Sequence, residues 1–174
     1  MRVFMNYRRS DTVAFVRGLH RELEHALGHG QVLVDIESIP LGAAVDRYIR
    51  WQLTQCSVVL AIVGRTWMPE RLREAGDFVR LELELALDSG LHVLPVLVDG
   101  ARMPQATSLP ARIRGLADRN GIELNTGSRD YGKQVQALVT HIREVERLRR
   151  RRSTLHQGVI AAMGPLGILV QRFL

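Results

Sequence analysis

Apolar, largely β-branched residues gather in four runs of strand length, Val3 to Tyr7, Val32 to Ile36, Val58 to Val63 and Val93 to Val98, with a weaker fifth at Ile122 to Leu124. The runs are nearly continuous rather than alternating, which predicts parallel strands buried on both faces. Between them the apolar period changes to that of a helix. Val16, Leu19, Leu23 and Leu27 follow the first run, with Ser10 or Asp11 placed to cap the helix and Gly28 and Gly30 to close it. Val45, Tyr48, Ile49, Gln52, Leu53 and Cys56 share one face after the second run. A charged loop from Met68 to Asp77 separates the third run from a helix over Phe78 to Leu87. After the fourth, a loop with Pro104 and Pro110 leads to a short helix near Ala111 to Asp118, and Tyr131, Val135, Leu138, Ile142 and Val145 mark the last helix. Five rounds of this alternation predict an α/β fold, a flavodoxin-like doubly wound five-stranded parallel sheet with helices on both faces and right-handed crossovers. Ligands of such sheets bind outside the carboxyl ends of the strands.

Composition sets the scale. A chain of 174 residues, 46% hydrophobic, can bury one core, so one domain plus an extension is expected, without room for a second domain. The formal charge of +6 is concentrated at the end, where seven arginines from Arg143 onward face only Glu144 and Glu146. The body is left nearly neutral, which argues against a broad nucleic-acid-binding face. One cysteine, Cys56, excludes an intrachain disulfide, and the strand-like start carries no features of a secretory leader, so a cytoplasmic location is expected.

Several enzyme classes drop out. The chain has no G-x-G-x-x-G after the first strand, no Walker lysine, no G-x-S-x-G elbow and no H-E-x-x-H, and its six histidines are too scattered to predict a metal site. The segments at the strand ends remain. The first strand runs into Asn6-Tyr7-Arg8-Arg9-Ser10-Asp11, the second ends at Asp35 and continues to a turn at Pro40-Leu41-Gly42, and the third ends in Gly64-Arg65-Thr66-Trp67. Glu82 is anomalous within its helix. At about 100° per residue from Phe78, it falls near 40°, between Leu85 and Ala86 inside the apolar arc, whereas Arg80, Glu84 and Asp88 cluster at roughly 200° to 280° as a solvated face. A carboxylate on a buried stripe is costly unless it is paired or faces a cavity. Two readings are open: a salt bridge to Arg8 or Arg65, or a functional group at the crevice.

The run Val3-Phe4-Met5-Asn6-Tyr7-Arg8-Arg9-Ser10-Asp11 resembles the first box of Toll/interleukin-1 receptor (TIR) domains of bacterial type, with Asn6 where serine is common. Asp35 to Gly42 resembles the second box, the BB loop, and Asp77 to Glu84 looks like the helix that carries the catalytic glutamate in NAD-cleaving members, with Phe78-Val79 in place of the usual Trp-Cys. The resemblance extends over roughly Met1 to Val145 and implies a TIR domain at 1–146 and a separate basic, apolar tail at 147–174. It further implies a signalling or defence protein that cleaves NAD+ when it self-associates, or a non-enzymatic adaptor acting through TIR–TIR contacts. In the enzymatic case NAD+ is a substrate rather than a bound cofactor. Glu82 would then be the catalytic carboxylate, and Tyr7, Arg8, Asp11, Asp35 and Trp67 would line the nicotinamide and ribose pocket. Trp67 is open to two readings, a stacking platform for the ring or a tryptophan that packs its loop.

The tail has its own pattern. Gly158 to Val170 is an apolar stretch of 13 residues interrupted by Pro165, too short for a bilayer core that needs about 20. Behind the arginine run, it is suited to shallow insertion at an anionic membrane surface, to docking on a partner or the body, or to disorder.

Overall fold

The computed structural model describes residues 2–34, 44–67, 69–74 and 76–162, with side chains described as far as Arg152. Five strands, β1 (Val3–Asn6), β2 (Val32–Val34), β3 (Val58–Val63), β4 (His92–Val98) and β5 (Ile122–Leu124), form one parallel sheet in the order β2-β1-β3-β4-β5. The four helices are α1 (Arg9–Leu27), α2 (Val45–Thr54), α3 (Phe78–Asp88) and α4 (Tyr131–Ala162). This is the flavodoxin-like doubly wound order expected from the apolar runs. After β1 the chain goes to one side for β2 and to the other for β3, so the order reverses between β1 and β3, and a crevice is expected at their carboxyl ends.

Alternation along each strand divides the core in two. Val3, Met5 and Tyr7 belong to the layer under α1 and α4, with Val16, Leu19, Leu23, Leu138 and Ile142. Phe4 faces the other layer, under α2 and α3, with Ile49, Leu53, Leu83 and Ala86. β3 is buried at every position, because it is a central strand covered on both faces.

Three local expectations are corrected. Helix α1 starts at Arg9 after Arg8 in the capping position without a side-chain cap, and the carboxylate of Asp11 accepts instead from the loop after the neighbouring strand β3. The face of α3 expected to be solvated is covered at its middle: the 3-10 segment Ala111–Leu116 packs over it and Glu84 is 4% exposed between Arg80 and Arg112, while Asp88 stays exposed and Phe78 at the helix start is half exposed. A two-sided covering cannot be read from a wheel, which has only one inside. Finally, α4 does not close before the arginine run but continues to Ala162 as one helix. Its extension touches the body, since Glu146 accepts from Ser57 and Arg149 Nη1 donates to the carbonyl of Cys56 at 2.7 Å. Among the described residues no helix is long and apolar enough to cross a membrane.

Candidate functional site

β1 ends at Asn6, and its position on the α3 face is set by the same alternation that puts Phe4 there. Its carboxamide is fully buried and donates from Nδ2 to the backbone carbonyl of Val79, 3.1 Å away, and to Oε2 of Glu82, 2.7 Å away. Asn6 thus fastens the first turns of α3 to the carboxyl end of β1 and orients the Glu82 carboxylate at the point where the strand order reverses. Oδ1 of Asn6 is buried without a hydrogen-bond partner among the described residues. Glu82 itself is 1% exposed. Carboxylates are buried at such cost only where neighbours or function require it.

The two arginines weighed from the sequence as salt-bridge partners of Glu82 are engaged elsewhere. Arg8 pairs with Asp77 at 2.9 Å, both side chains almost wholly buried, and donates from Nε to the carbonyl of Trp67. Asp77 is at the same time the N-cap of α3, accepting from the backbone N–H of Arg80. Arg65 donates to the carbonyl of Asp99. Arg8 is therefore a strut between the end of β1, the loop after β3 and the start of α3, rather than an open pocket wall. Asp11 serves the same loop: its carboxylate accepts from the backbone N–H groups of Gly64 and Thr66, each at 3.0 Å, and from the Thr66 hydroxyl. Gly64 is needed there, because a Cβ at that position would collide with the Asp11 carboxylate and with Thr12.

The remaining expected pocket residues separate. Tyr7 is buried in the α1/α4 layer, on the opposite face of the sheet from the layer that holds α3. Trp67 is 2% exposed and packs in the α2/α3 layer. Its indole N–H has no acceptor among the described residues, and the ring borders a cavity of about 340 Å³ shared with Arg65, Ala101 and Arg102. Asp35 and the rest of the second box through Gly42 lie outside the described residues. The sequence reading missed Asn6 as the group that holds Glu82, although the alternation through Phe4 and Asn6 toward one face carried that signal. It also missed Asp77, whose position before an apolar helix is that of an ordinary N-cap. Among the described residues no group of three or more His, Cys, Asp or Glu side chains is arranged to hold a metal ion.

The same fold is found in the TIR domains of the activated Roq1 resistosome directly recognizing the pathogen effector XopQ, which align with a TM-score of 0.56 and 20% identity over 80% of this chain and 98% of that one. No curated protein matches the chain. The family model described as the TIR domain matches residues 3–139, and so takes in every strand of the sheet, the Asn6–Glu82 junction and the first turns of α4. On the strength of that match, which extends over well more than half of its length, the chain belongs to the TIR domain family.

Proposed function

We propose that this TIR domain is a signalling or defence module that cleaves NAD+ on self-association, releasing nicotinamide, with Glu82 as the catalytic carboxylate. The observation that carries the reading is the Glu82 carboxylate held by Asn6 at the carboxyl end of β1, beside the reversal in strand order. In the reaction the bond between ribose C1′ and the nicotinamide nitrogen breaks with its electron pair leaving on nicotinamide. Positive charge develops at C1′, and water adds there with loss of a proton to give ADP-ribose. Nicotinamide departs as a neutral molecule, so a strong general acid is unnecessary, and a fixed carboxylate beside the ribose lowers the barrier by stabilising the oxocarbenium-like centre. Asn6 is the positioning residue for that carboxylate, and the Arg8–Asp77 and Asp11–Gly64 contacts keep the surrounding segments in place. Asp35 remains a ribose-binding candidate on the family resemblance alone.

Self-association is supported by a different observation. Trp51 on α2 is 56% exposed and stacks at a tilt on Tyr48, with ring centroids 5.9 Å apart, and large exposed aromatics favour interfaces. The same face serves the adaptor reading, in which association itself is the output. Purified full-length chain is incubated with NAD+ over a range of protein concentrations and nicotinamide is measured. Release that rises more steeply than protein concentration and disappears in Glu82→Gln supports the enzymatic reading; association without release at any concentration supports the adaptor.

A further inference from the structure

The opposite end of the sheet carries a second cleft. It lies at the amino-terminal edge of β3 and β4, has a volume of about 720 Å³, and is walled by one continuous face of α4 bearing His141, Glu144, Leu148, Arg149 and Arg152. Opposite stand His92, the first residue of β4, and Arg119 from the segment before β5. The volume is within the range of small-molecule sites, about 300–1,000 Å³.

The charge in this cleft is oriented but not neutralised. Arg119 donates to the carbonyl of Val93 and Arg149 to that of Cys56, so both guanidiniums are fixed by uncharged acceptors. Nε of Arg119 is buried with no partner among the described residues. The one carboxylate in the lining, Glu144, is paired along its own helix with Arg147 at 3.6 Å. Nε2 atoms of His92 and His141 approach to 3.0 Å, so at most one of the two carries a proton between them. Residues 153–174 contain no Asp or Glu. Planar guanidiniums held in fixed orientation match phosphate oxygens, and Leu148, 47% exposed at the lip, offers an apolar surface beside them.

We infer that this cleft binds a free phosphate-bearing small molecule with an apolar portion, of the nucleotide class, its phosphates on Arg119, Arg149 and Arg152 and its apolar part against Leu148. The site lies at the other end of the strands from Glu82 and is independent of any reaction there. Bound phosphate also favours the protonated imidazole. In the protein alone, burial, His141 and Arg119 hold His92 below the ordinary histidine range; Arg149 and Arg152 face the same cleft, Glu144 is the acid among its described lining residues, and Glu146 accepts from the lining residue Ser57. A phosphate among these groups raises the His92 pKa.

Full-length chain is titrated with ATP and, separately, with inorganic pyrophosphate, with heat of binding and the imidazole resonances of His92 and His141 as readouts. Saturable binding of ATP, tighter than that of pyrophosphate, with an upward shift of the His92 titration, is expected. Arg149→Gln and the exposed Arg152→Gln should each weaken it about tenfold, whereas Glu82→Gln should leave it unchanged. Arg152→Gln keeps the test sound if Arg149→Gln fails to fold, since Arg152 is exposed. Sedimentation with vesicles containing phosphatidylserine and binding to duplex DNA are run in parallel. Absence of ATP binding, imidazole resonances that do not respond, affinity unaffected in Arg152→Gln, or arginine-dependent binding to vesicles or DNA alone would each overturn the proposal.

Discussion

At the scale of single residues, three carboxylates of the α3 region have three different roles, and substitutions separate them. Glu82 is held by an amide, and glutamine at that position still presents an oxygen to Asn6 Nδ2. Glu82→Gln is therefore expected to unfold close to the wild-type temperature while nicotinamide release is lost; a large fall in Tm or unchanged turnover would falsify its catalytic assignment. Glu84 accepts from Arg80 and Arg112 in a nearly buried position, so Glu84→Gln should cost about 1.5–3 kcal/mol, the range for hydrogen bonds to charged groups, measured by urea unfolding. Glu123, exposed on β5, is the neutral control. Arg8→Ala removes one partner of a buried ion pair and leaves Asp77 uncompensated, for which about 3–5 kcal/mol is the usual cost. Loss of activity in Arg8→Ala should accordingly track loss of folded protein, and a stable but inactive Arg8→Ala would instead return this arginine to the pocket wall.

At the scale of elements, the informative one is α4. Its face continues from the core positions Leu138 and Ile142 to Arg149 without interruption, so the arginine run begins on a docked helix. Truncation after Arg152 removes the last turns of the helix but keeps every side-chain contact described for it, and should leave the unfolding midpoint unchanged. Truncation after Glu146 removes the Arg149 contact with the Cys56 carbonyl and should lower stability by about 1–2 kcal/mol; equal midpoints for the two truncations would show that this contact contributes nothing. The start of β4 makes a second element-level prediction. His92 has a folded-state pKa below 6.5, held down by burial, then by His141 and Arg119. The unfolded chain thus takes up the proton first, so stability is full above about pH 6.5 and falls as pH drops below it. His92→Gln should flatten that acid limb in denaturant titrations between pH 7.5 and 5, and a limb of unchanged slope would assign it to other groups.

For the whole molecule, the two ends of the sheet are chemically distinct. The carboxyl end concentrates buried carboxylates around β1 and α3, and the amino end concentrates guanidinium and imidazole groups around β3, β4 and α4. The association face proposed on α2 lies on neither end, so on that proposal Trp51→Ala should weaken self-association in sedimentation at high concentration while leaving the thermal transition in place. Identical sedimentation of the two proteins would move the interface elsewhere. The buried Cys56 thiol, raised to about 11 by burial, should remain unreactive toward thiol reagents in the folded chain.

The order and type of the elements are legible in the chain, because continuous β-branched runs and 3.6-residue apolar spacing are local properties of their own residues. Val58 to Val63 reads as a doubly buried strand from its residues alone, and Glu82 stands out on its wheel for the same reason. Which buried polar groups meet depended on the packing of distant elements. Arg8 found Asp77 rather than Glu82, Asn6 took Glu82, Asp11 left its own helix for Gly64, and Glu84 became buried because a distant 3-10 segment covers it. A hydrogen bond between residues more than fifty positions apart depends on the sum of every turn and register between them, and that sum is fixed by packing, not by the residues at its two ends.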